Sequence, residues 1–264
     1  MTPHGDMMHA DHIRSGTDVG PEPGWKARFV WARESLDAAQ KTGQGVPAYT
    51  RWVNRRGARL VAAVGFASGW TPNMVTAMSA FFSVAGMILL LAYPPTMWLG
   101  LPVALLLAAG YLFDSADGQL ARLSGLSSMT GEWIDHVVDA FRSPAIHLAT
   151  AVAVMLHRPD IWWLAVVAIV YSLVTSGQFL SQILAETFVR KVGRKQNRGG
   201  DLRSWVLLPT DPGTLCWSFI LWGIAPVFAV VYVSLAVIAA VHSGVSLRRR
   251  YRDLAALDAA GRNG

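Results

Sequence analysis

The sequence predicts an all-α, polytopic membrane protein with six transmembrane helices, preceded by cytoplasmic or interfacial amphipathic helices. Hydrophobic residues make up 53% of the 264 residues and charged residues only 15%, which is more apolar content than a soluble core of this length requires. Six apolar runs are also long enough to cross bilayer hydrocarbon, which takes about 20 helical residues. Composition and run length therefore predict the same class.

The six predicted spans are apolar runs separated by short polar connections, at residues 73–93, 97–120, 131–156, 161–184, 207–223 and 225–247. The fifth run is the shortest. It carries Pro209, Asp211 and Pro212 near its start, which makes the beginning of a helix there hard to locate. Residues 71–247 are predicted to form one six-helix membrane domain.

The segments on either side of this domain are polar or amphipathic. Residues 1–24 lack the apolar core and cleavage site of a signal peptide and are predicted to form a disordered tail. Residues 25–70 place apolar side chains near helical spacing with arginines on other faces, which is typical of a basic amphipathic helix on an anionic leaflet. Residues 248–264 are predicted to form a basic cytoplasmic tail.

The distribution of Lys and Arg predicts orientation. Basic residues cluster at 51–59, 190–203 and 248–252, whereas the connections on the other side carry little more than Arg158. The positive-inside rule then puts both termini and the basic loops in the cytoplasm, and we expect the cell membrane as location. The net charge of +6 lies beside apolar runs, which favours membrane lipids over nucleic acid as a partner. The single cysteine, Cys216, excludes an intrachain disulfide.

Four aspartates lie at the ends of two predicted spans. Asp114 and Asp117 are three residues apart in the second span, and Asp135 and Asp139 are four apart in the third, so each pair shares one helix face. The short connection 123–130 makes the two helices antiparallel neighbours, which lets both pairs converge. Carboxylates gathered at membrane depth need a compensating cation. Hard oxygen ligands favour Mg²⁺ or Mn²⁺, and two ions can be accommodated.

Small residues accompany the aspartates. Gly118 and Ala121 lie on or beside the acidic face, and Gly131 lies one turn before Asp135, which leaves room for a flat base or a phosphate. Arg122 at the rim can pair with a diphosphate or with an aspartate. Close packing of two membrane helices is the alternative reason for the glycines.

The pattern from Asp114 to Asp139, DxxDGxxAR, eight residues, then GxxxDxxxD, is similar to the signature of the CDP-alcohol phosphotransferase family, and every specified position is filled. The resemblance implies six spans behind a juxtamembrane helix and a homodimer. It implies that two metal ions are held by Asp114, Asp117, Asp135 and Asp139, with Asp139 also the general base. It implies that the cytidine diphosphate site is shaped by Gly118, Ala121, Arg122 and Gly131.

We therefore expect an enzyme of phospholipid biosynthesis that transfers a phosphatidyl or other phospho-alcohol group. The expected donor is CDP-diacylglycerol and the expected acceptor is a small polar alcohol, with release of CMP. The alternative is a soluble CDP-alcohol that donates to a lipid hydroxyl. A divalent-cation transporter is the alternative from another class, because intramembrane carboxylates also mark ion paths, although these carboxylates all lie close to one boundary. A scaffold without catalysis is disfavoured by the complete signature.

The acceptor site is less constrained by the sequence. The arginines of loop 190–203 can bind a phosphate on the acceptor, or they can simply satisfy the positive-inside rule. Polar residues of the fourth span can line a substrate path or mediate helix packing, namely Ser172, Ser176, Gln178, Ser181 and Gln182. Asp211 is predicted to cap a helix, with a role in a pocket as the alternative.

Overall fold

The computed structural model describes residues 24–38, 46–191 and 201–262. Their secondary structure is helical, with α1 (Trp25–Ala38), α2 (Arg55–Ser68), α3 (Pro72–Ala92), α4 (Met97–Leu123), α5 (Met129–His157), α6 (Trp163–Lys191), α7 (Asp201–Val206), α8 (Pro212–Ser218) and α9 (Ala225–Arg262). A π-helical turn (Thr50–Asn54) precedes α2, and short 3₁₀ helices are Pro159–Ile161, Leu208–Thr210 and Phe219–Gly223. The predicted tail 1–24, except Gly24, and residues 192–200 of the basic loop lie outside the described residues.

Five helices among the described residues are long and apolar enough to cross a membrane, namely α3, α4, α5, α6 and α9. The all-α, multi-pass class is therefore confirmed. Their outward-facing side chains are apolar, as lipid contact requires, and Phe81, Leu173 and Val230 are each more than 65% exposed. The predicted count of six spans is not confirmed by this criterion.

The predicted fifth span, 207–223, is a broken segment made of a 3₁₀ helix, α8 and a second 3₁₀ helix. Pro209 and Pro212 contribute no amide hydrogen, and two such gaps three residues apart disfavour one continuous helix. The segment runs along α4, and its end at Gly223 contacts the backbone of Thr96 and Met97. It thereby reaches the end of α4 that is remote from the aspartates.

Side-chain caps fix where the long helices begin. Thr71 accepts a hydrogen bond from the third amide of α3 (3.3 Å), Thr96 does so for α4 (3.2 Å) and Ser128 for α5 (3.0 Å). Pro72 occupies the first position of α3, where a missing amide hydrogen costs nothing. Gly125, with a φ of +68°, turns the chain between α4 and α5. These two helices are therefore joined by a short connection, as predicted.

The juxtamembrane helices pack on α3 and α4 near the end of α4 that carries Asp114 and Asp117. Ala32 of α1 and Ala62 of α2 are fully buried in one apolar cluster with Val75 and Leu120. An ion pair between Asp37 and Arg59 also links α1 to α2. A larger apolar cluster contains residues of α3, α4, α5, α6, α8 and α9 and lies towards the end of the molecule that is remote from the aspartates. The amphipathic pair thus covers the membrane domain next to the predicted site.

Candidate metal and nucleotide site

Three of the four predicted carboxylates converge between α4 and α5. Asp114 from α4 and Asp135 and Asp139 from α5 each contribute one carboxylate oxygen, and these oxygens lie within 4.8 Å of one another. Asp135 and Asp139 are one turn apart on the same face of α5, which points both towards α4. All three are half-buried. Oxygen ligands at this separation suit a hard divalent cation, which also offsets their mutual repulsion.

Asp117 lies outside this group of three. Its side chain is only 4% exposed, and its Oδ2 accepts a hydrogen bond of 2.6 Å from Thr76 Oγ1 on α3. Its Oδ1 accepts a hydrogen bond from the Gly118 amide at 2.5 Å. The carboxylate is thus bonded to α3 and to its own backbone, one turn along α4 from Asp114.

Arg142, which is not among the predicted site residues, bridges the carboxylates. Its Nη1 lies 2.9 Å from Asp114 Oδ1, and its Nη2 donates to Asp139 Oδ1. Nη1 also donates to Ser79 Oγ on α3 at 2.9 Å. The Arg142 side chain is only 11% exposed. One signal was available in the sequence, because a cation inside an apolar span, three residues after Asp139, needs an anionic partner.

The small residues and the rim arginine lie at the same end of the two helices. Gly118, Ala121 and Gly131 are half-buried and Arg122 is exposed. A Cβ added to Gly118 would lie 3.4 Å from Arg122 Nη1, and one added to Gly131 would lie 3.1 Å from Ser128 Oγ. A methyl group at Gly131 would therefore press on the residue that caps α5. The absence of both side chains keeps the rim open.

A family model described as CDP-alcohol phosphatidyltransferase matches residues 69–245, which include the aspartates, Arg142 and all of α3 to α6. The chain belongs to this family. The CDP-alcohol phosphatidyltransferases are transferases of phosphate groups that use divalent metal, and the cluster of Asp114, Asp135 and Asp139 can bind such an ion. The resemblance of the aspartate pattern is therefore confirmed.

Two curated relatives of this family member are plant proteins from Arabidopsis thaliana. Choline/ethanolaminephosphotransferase 1 is 34% identical over 104 residues, and choline/ethanolaminephosphotransferase 2 is 32% identical over 104 residues. Each alignment covers 37% of this chain and 27% of the relative. The chain thus spans about a quarter of the length of these two relatives.

The polar residues of the predicted fourth span, which lie on α6, bond largely within the protein. The Gln178 side chain and the Ser181 hydroxyl each accept a hydrogen bond of 3.3 Å from Arg250 of α9. Ser172 and Ser176 donate to backbone carbonyls, and Gln182 donates to Glu186 at 3.0 Å. Ser172, Gln178 and Ser181 thus join α6 to neighbouring helices, whereas Ser176 and Gln182 bond within α6. Of the predicted acceptor loop, Arg203 lies on α7, and most of the other cations fall outside the described residues.

Asp211 caps α8, as predicted. Its Oδ1 accepts a hydrogen bond of 2.9 Å from the Gly213 amide. The same carboxylate also accepts from the Thr50 amide at 2.7 Å. The Thr50 hydroxyl is in turn 2.6 Å from the Tyr111 hydroxyl on α4. Asp211 thus links the broken segment and the π-helical turn to α4, one turn before Asp114.

Proposed function

We propose that this chain is an integral-membrane transferase that moves a phospho-alcohol group from a CDP-activated donor to an acceptor hydroxyl, with release of CMP. The observation that carries the proposal is the convergence of Asp114, Asp135 and Asp139, within 4.8 Å, inside the region that the family model matches. Carboxylates that close together in an apolar helix pair are costly unless a cation is bound. A role in phosphate transfer also explains why small residues lie near them at the same end of the two helices.

The proposed metal ligands are Asp114, Asp117, Asp135 and Asp139, with Mg²⁺ or Mn²⁺ as the ion. A divalent cation there supplies positive charge against the donor diphosphate and the departing CMP. The group of three carboxylates is suited to one ion, and Asp117 is the additional ligand for a second. The bond from Thr76 fixes one oxygen of Asp117 before any ion binds.

Asp139 is the proposed general base. Its Oδ1 accepts a hydrogen bond from Arg142, and its Oδ2 would serve both the metal ion and the proton of an acceptor hydroxyl held within hydrogen-bond reach. The acceptor oxygen forms the new bond to phosphorus while the bond to the CMP oxygen breaks. Arg122 is the proposed partner of the diphosphate, because its exposed guanidinium offers paired donors. Gly118, Ala121 and Gly131 are the proposed floor of the cytidine diphosphate site.

The proposed donor is CDP-diacylglycerol and the proposed acceptor is a small polar alcohol, which places the reaction in phospholipid biosynthesis. One observation favours the opposite arrangement, since the two plant relatives carry the name choline/ethanolaminephosphotransferase. In that arrangement a soluble CDP-alcohol donates its head group to a lipid hydroxyl. Family membership favours either transfer over cation transport.

The proposed placement is the cell membrane, with the site and both termini in the cytoplasm and the chain as a homodimer. The support for the orientation is that the aspartate-bearing end also carries the basic segment 51–59 and the arginines that follow Leu247. Basic residues on that side satisfy the positive-inside rule.

The test is CMP release by purified full-length protein in mixed micelles with Mg²⁺. One arm supplies CDP-diacylglycerol with inositol phosphate, glycerol phosphate, serine or inositol. The other arm supplies CDP-choline or CDP-ethanolamine with diacylglycerol. Acceptor-dependent CMP in the first arm supports the proposed donor, and CMP only in the second arm supports the alternative. No CMP in either arm would reject the transferase proposal.

Replacement of the proposed base tests the mechanism. We expect Asp139→Asn to slow transfer by about a hundredfold or more, as loss of a general base does, while binding of the CDP-donor largely survives. Asp160→Asn, at an exposed position next to the remote end of α5, is the matched control and should retain wild-type turnover. Normal turnover of Asp139→Asn at saturating Mg²⁺ would rule out the assignment.

A further inference from the structure

We propose that Arg142 is a resident counter-cation of the carboxylate site, a positioning residue that holds Asp114 and Asp139 before metal binds and weakens the site's affinity for divalent cations. The inference rests on the proposed function and deepens it. It concerns a side chain that the aspartate signature does not include.

The contacts of Arg142 span three helices. The guanidinium forms an ion pair with Asp114 on α4 and donates hydrogen bonds to Asp139 on α5 and to Ser79 on α3. The Asp114 and Asp139 side chains are 12% and 25% exposed and that of Arg142 is 11% exposed, so water screens these pairs little. A buried charge persists only with partners of this kind. The ion pairs therefore fix both carboxylates whether or not an ion is bound.

The geometry leaves oxygens for a metal ion. Arg142 engages Oδ1 of Asp114 and Oδ1 of Asp139 through different nitrogens. Each carboxylate keeps its second oxygen, and a carboxylate can share its oxygens between an arginine and another cation. A lysine at this position would present a single ammonium group, which cannot reproduce the planar fork. The fork thus orients two carboxylates from different helices at once.

The charge of Arg142 acts in the opposite direction on metal binding. It changes the formal charge of the group of three carboxylates from minus three to minus two. A divalent ion held by these carboxylates would be repelled by the guanidinium, and at a separation of roughly 5 Å this repulsion would weaken binding by at least about tenfold even at a dielectric constant of about 80. Arg142 therefore improves the order of the empty site and reduces its affinity for metal.

The experiment measures Mn²⁺ binding to metal-free, full-length protein by the electron paramagnetic resonance of free Mn²⁺, with thermal unfolding in parallel. We expect Arg142→Met to bind Mn²⁺ at least about tenfold more tightly than wild type. Without Mn²⁺ it should unfold at a lower temperature than wild type. Addition of Mn²⁺ should raise its unfolding temperature by more than that of wild type. Arg142→Lys should return Mn²⁺ affinity to within about threefold of wild type, because the charge is retained. CMP release by both Arg142→Met and Arg142→Lys should be lower than that of wild type, because both variants lack the planar fork.

Controls separate this role from a general loss of structure. Arg158→Met removes an arginine at the remote end of the molecule, where Arg158 pairs with Asp160, and should leave Mn²⁺ affinity unchanged. Arg142→Gln keeps an amide donor for one carboxylate and serves if Arg142→Met does not fold, with the same tighter binding expected. Mn²⁺ affinity at or below the wild-type value in the uncharged variant would overturn the inference.

The two proposals fail in different ways. Unchanged or weaker Mn²⁺ binding in Arg142→Met, alongside acceptor-dependent CMP release by wild type, would reject the role of Arg142 and leave the transferase intact. Absence of CMP release by wild type with every donor would reject the transferase, while the Mn²⁺ titration would still report on Arg142.

Discussion

The close contact between α4 and the broken segment leaves no space for a side chain at Gly100. A Cβ added to Gly100 would lie 2.5 Å from the Ile220 carbonyl oxygen and 2.7 Å from that of Phe219. Ordinary contact begins at 3.4 Å, so the two backbones would have to separate by about 0.9 Å. Neither oxygen belongs to a side chain that can rotate away. We therefore expect Gly100→Ala to force the 3₁₀ helix Phe219–Gly223 away from α4.

The expected cost combines two opposing effects. Overpacking a tight contact costs about 1–3 kcal/mol, and replacing a helical glycine by alanine returns about 1 kcal/mol. Because both close contacts are with backbone oxygens, the overpacking cost should lie at about 2–3 kcal/mol, so we predict that Gly100→Ala lowers the free energy of unfolding by about 1–2 kcal/mol. The assay is unfolding of the purified protein in mixed micelles by increasing SDS, followed by circular dichroism.

Gly244 provides the matched control, because a Cβ added to this residue of α9 meets nothing within 4 Å. Gly244→Ala should therefore leave stability unchanged or raise it by up to about 1 kcal/mol through helix propensity. If Gly100→Ala proved as stable as Gly244→Ala, the close approach of the broken segment to α4 would be wrong.

Two further variants test the bonds that surround the site. Asp211→Ala removes the acceptor for the Thr50 and Gly213 amides, and we expect the free energy of unfolding in the SDS assay to fall by about 2–4 kcal/mol. Asp211→Asn keeps one acceptor oxygen and should lose less stability than Asp211→Ala. Equal losses of stability in the two variants would contradict the capping role of Asp211. Thr76→Val removes the donor to buried Asp117 and should cost about 1.5–3 kcal/mol. Thr76→Ser keeps a hydroxyl and should recover most of this lost stability. Equal stability of Thr76→Val and Thr76→Ser would argue against the hydrogen bond from Thr76 to Asp117.

Run length and hydropathy were sufficient to predict the long helices. The predicted spans 73–93 and 97–120 correspond to α3 at Pro72–Ala92 and α4 at Met97–Leu123, because apolar residues continue up to capped helix starts. The same signals do not resolve 207–223, whose composition is apolar but whose backbone is divided into short helices. Hydropathy reports transfer into lipid and is insensitive to missing amide hydrogens. Pro209 and Pro212 decide the local structure there.

Helical spacing predicted that the carboxylates of α4 and α5 would meet, but not that Asp117 would differ from the rest. The spacing of three residues places Asp117 on the same face of α4 as Asp114, about one turn further along the helix. Its partner Thr76 is 41 residues earlier, on α3, and a pattern confined to two helices carries no information about a third. The difference between a carboxylate held by Thr76 and three that face one another therefore required the packed structure.

Arg142 illustrates the same limit for charge balance. Four aspartates in two apolar helices require compensation, and the sequence predicted metal as its main source, with Arg122 as a further candidate partner. The structure contains a guanidinium between Asp114 and Asp139, so the group carries part of its own compensation. A site that relied on metal alone would lose the order of its carboxylates whenever the ion left. In the role proposed for Arg142, a site with a resident arginine keeps that order and binds metal less tightly. The arginine would then maintain the geometry, and the metal would supply charge to the proposed reaction.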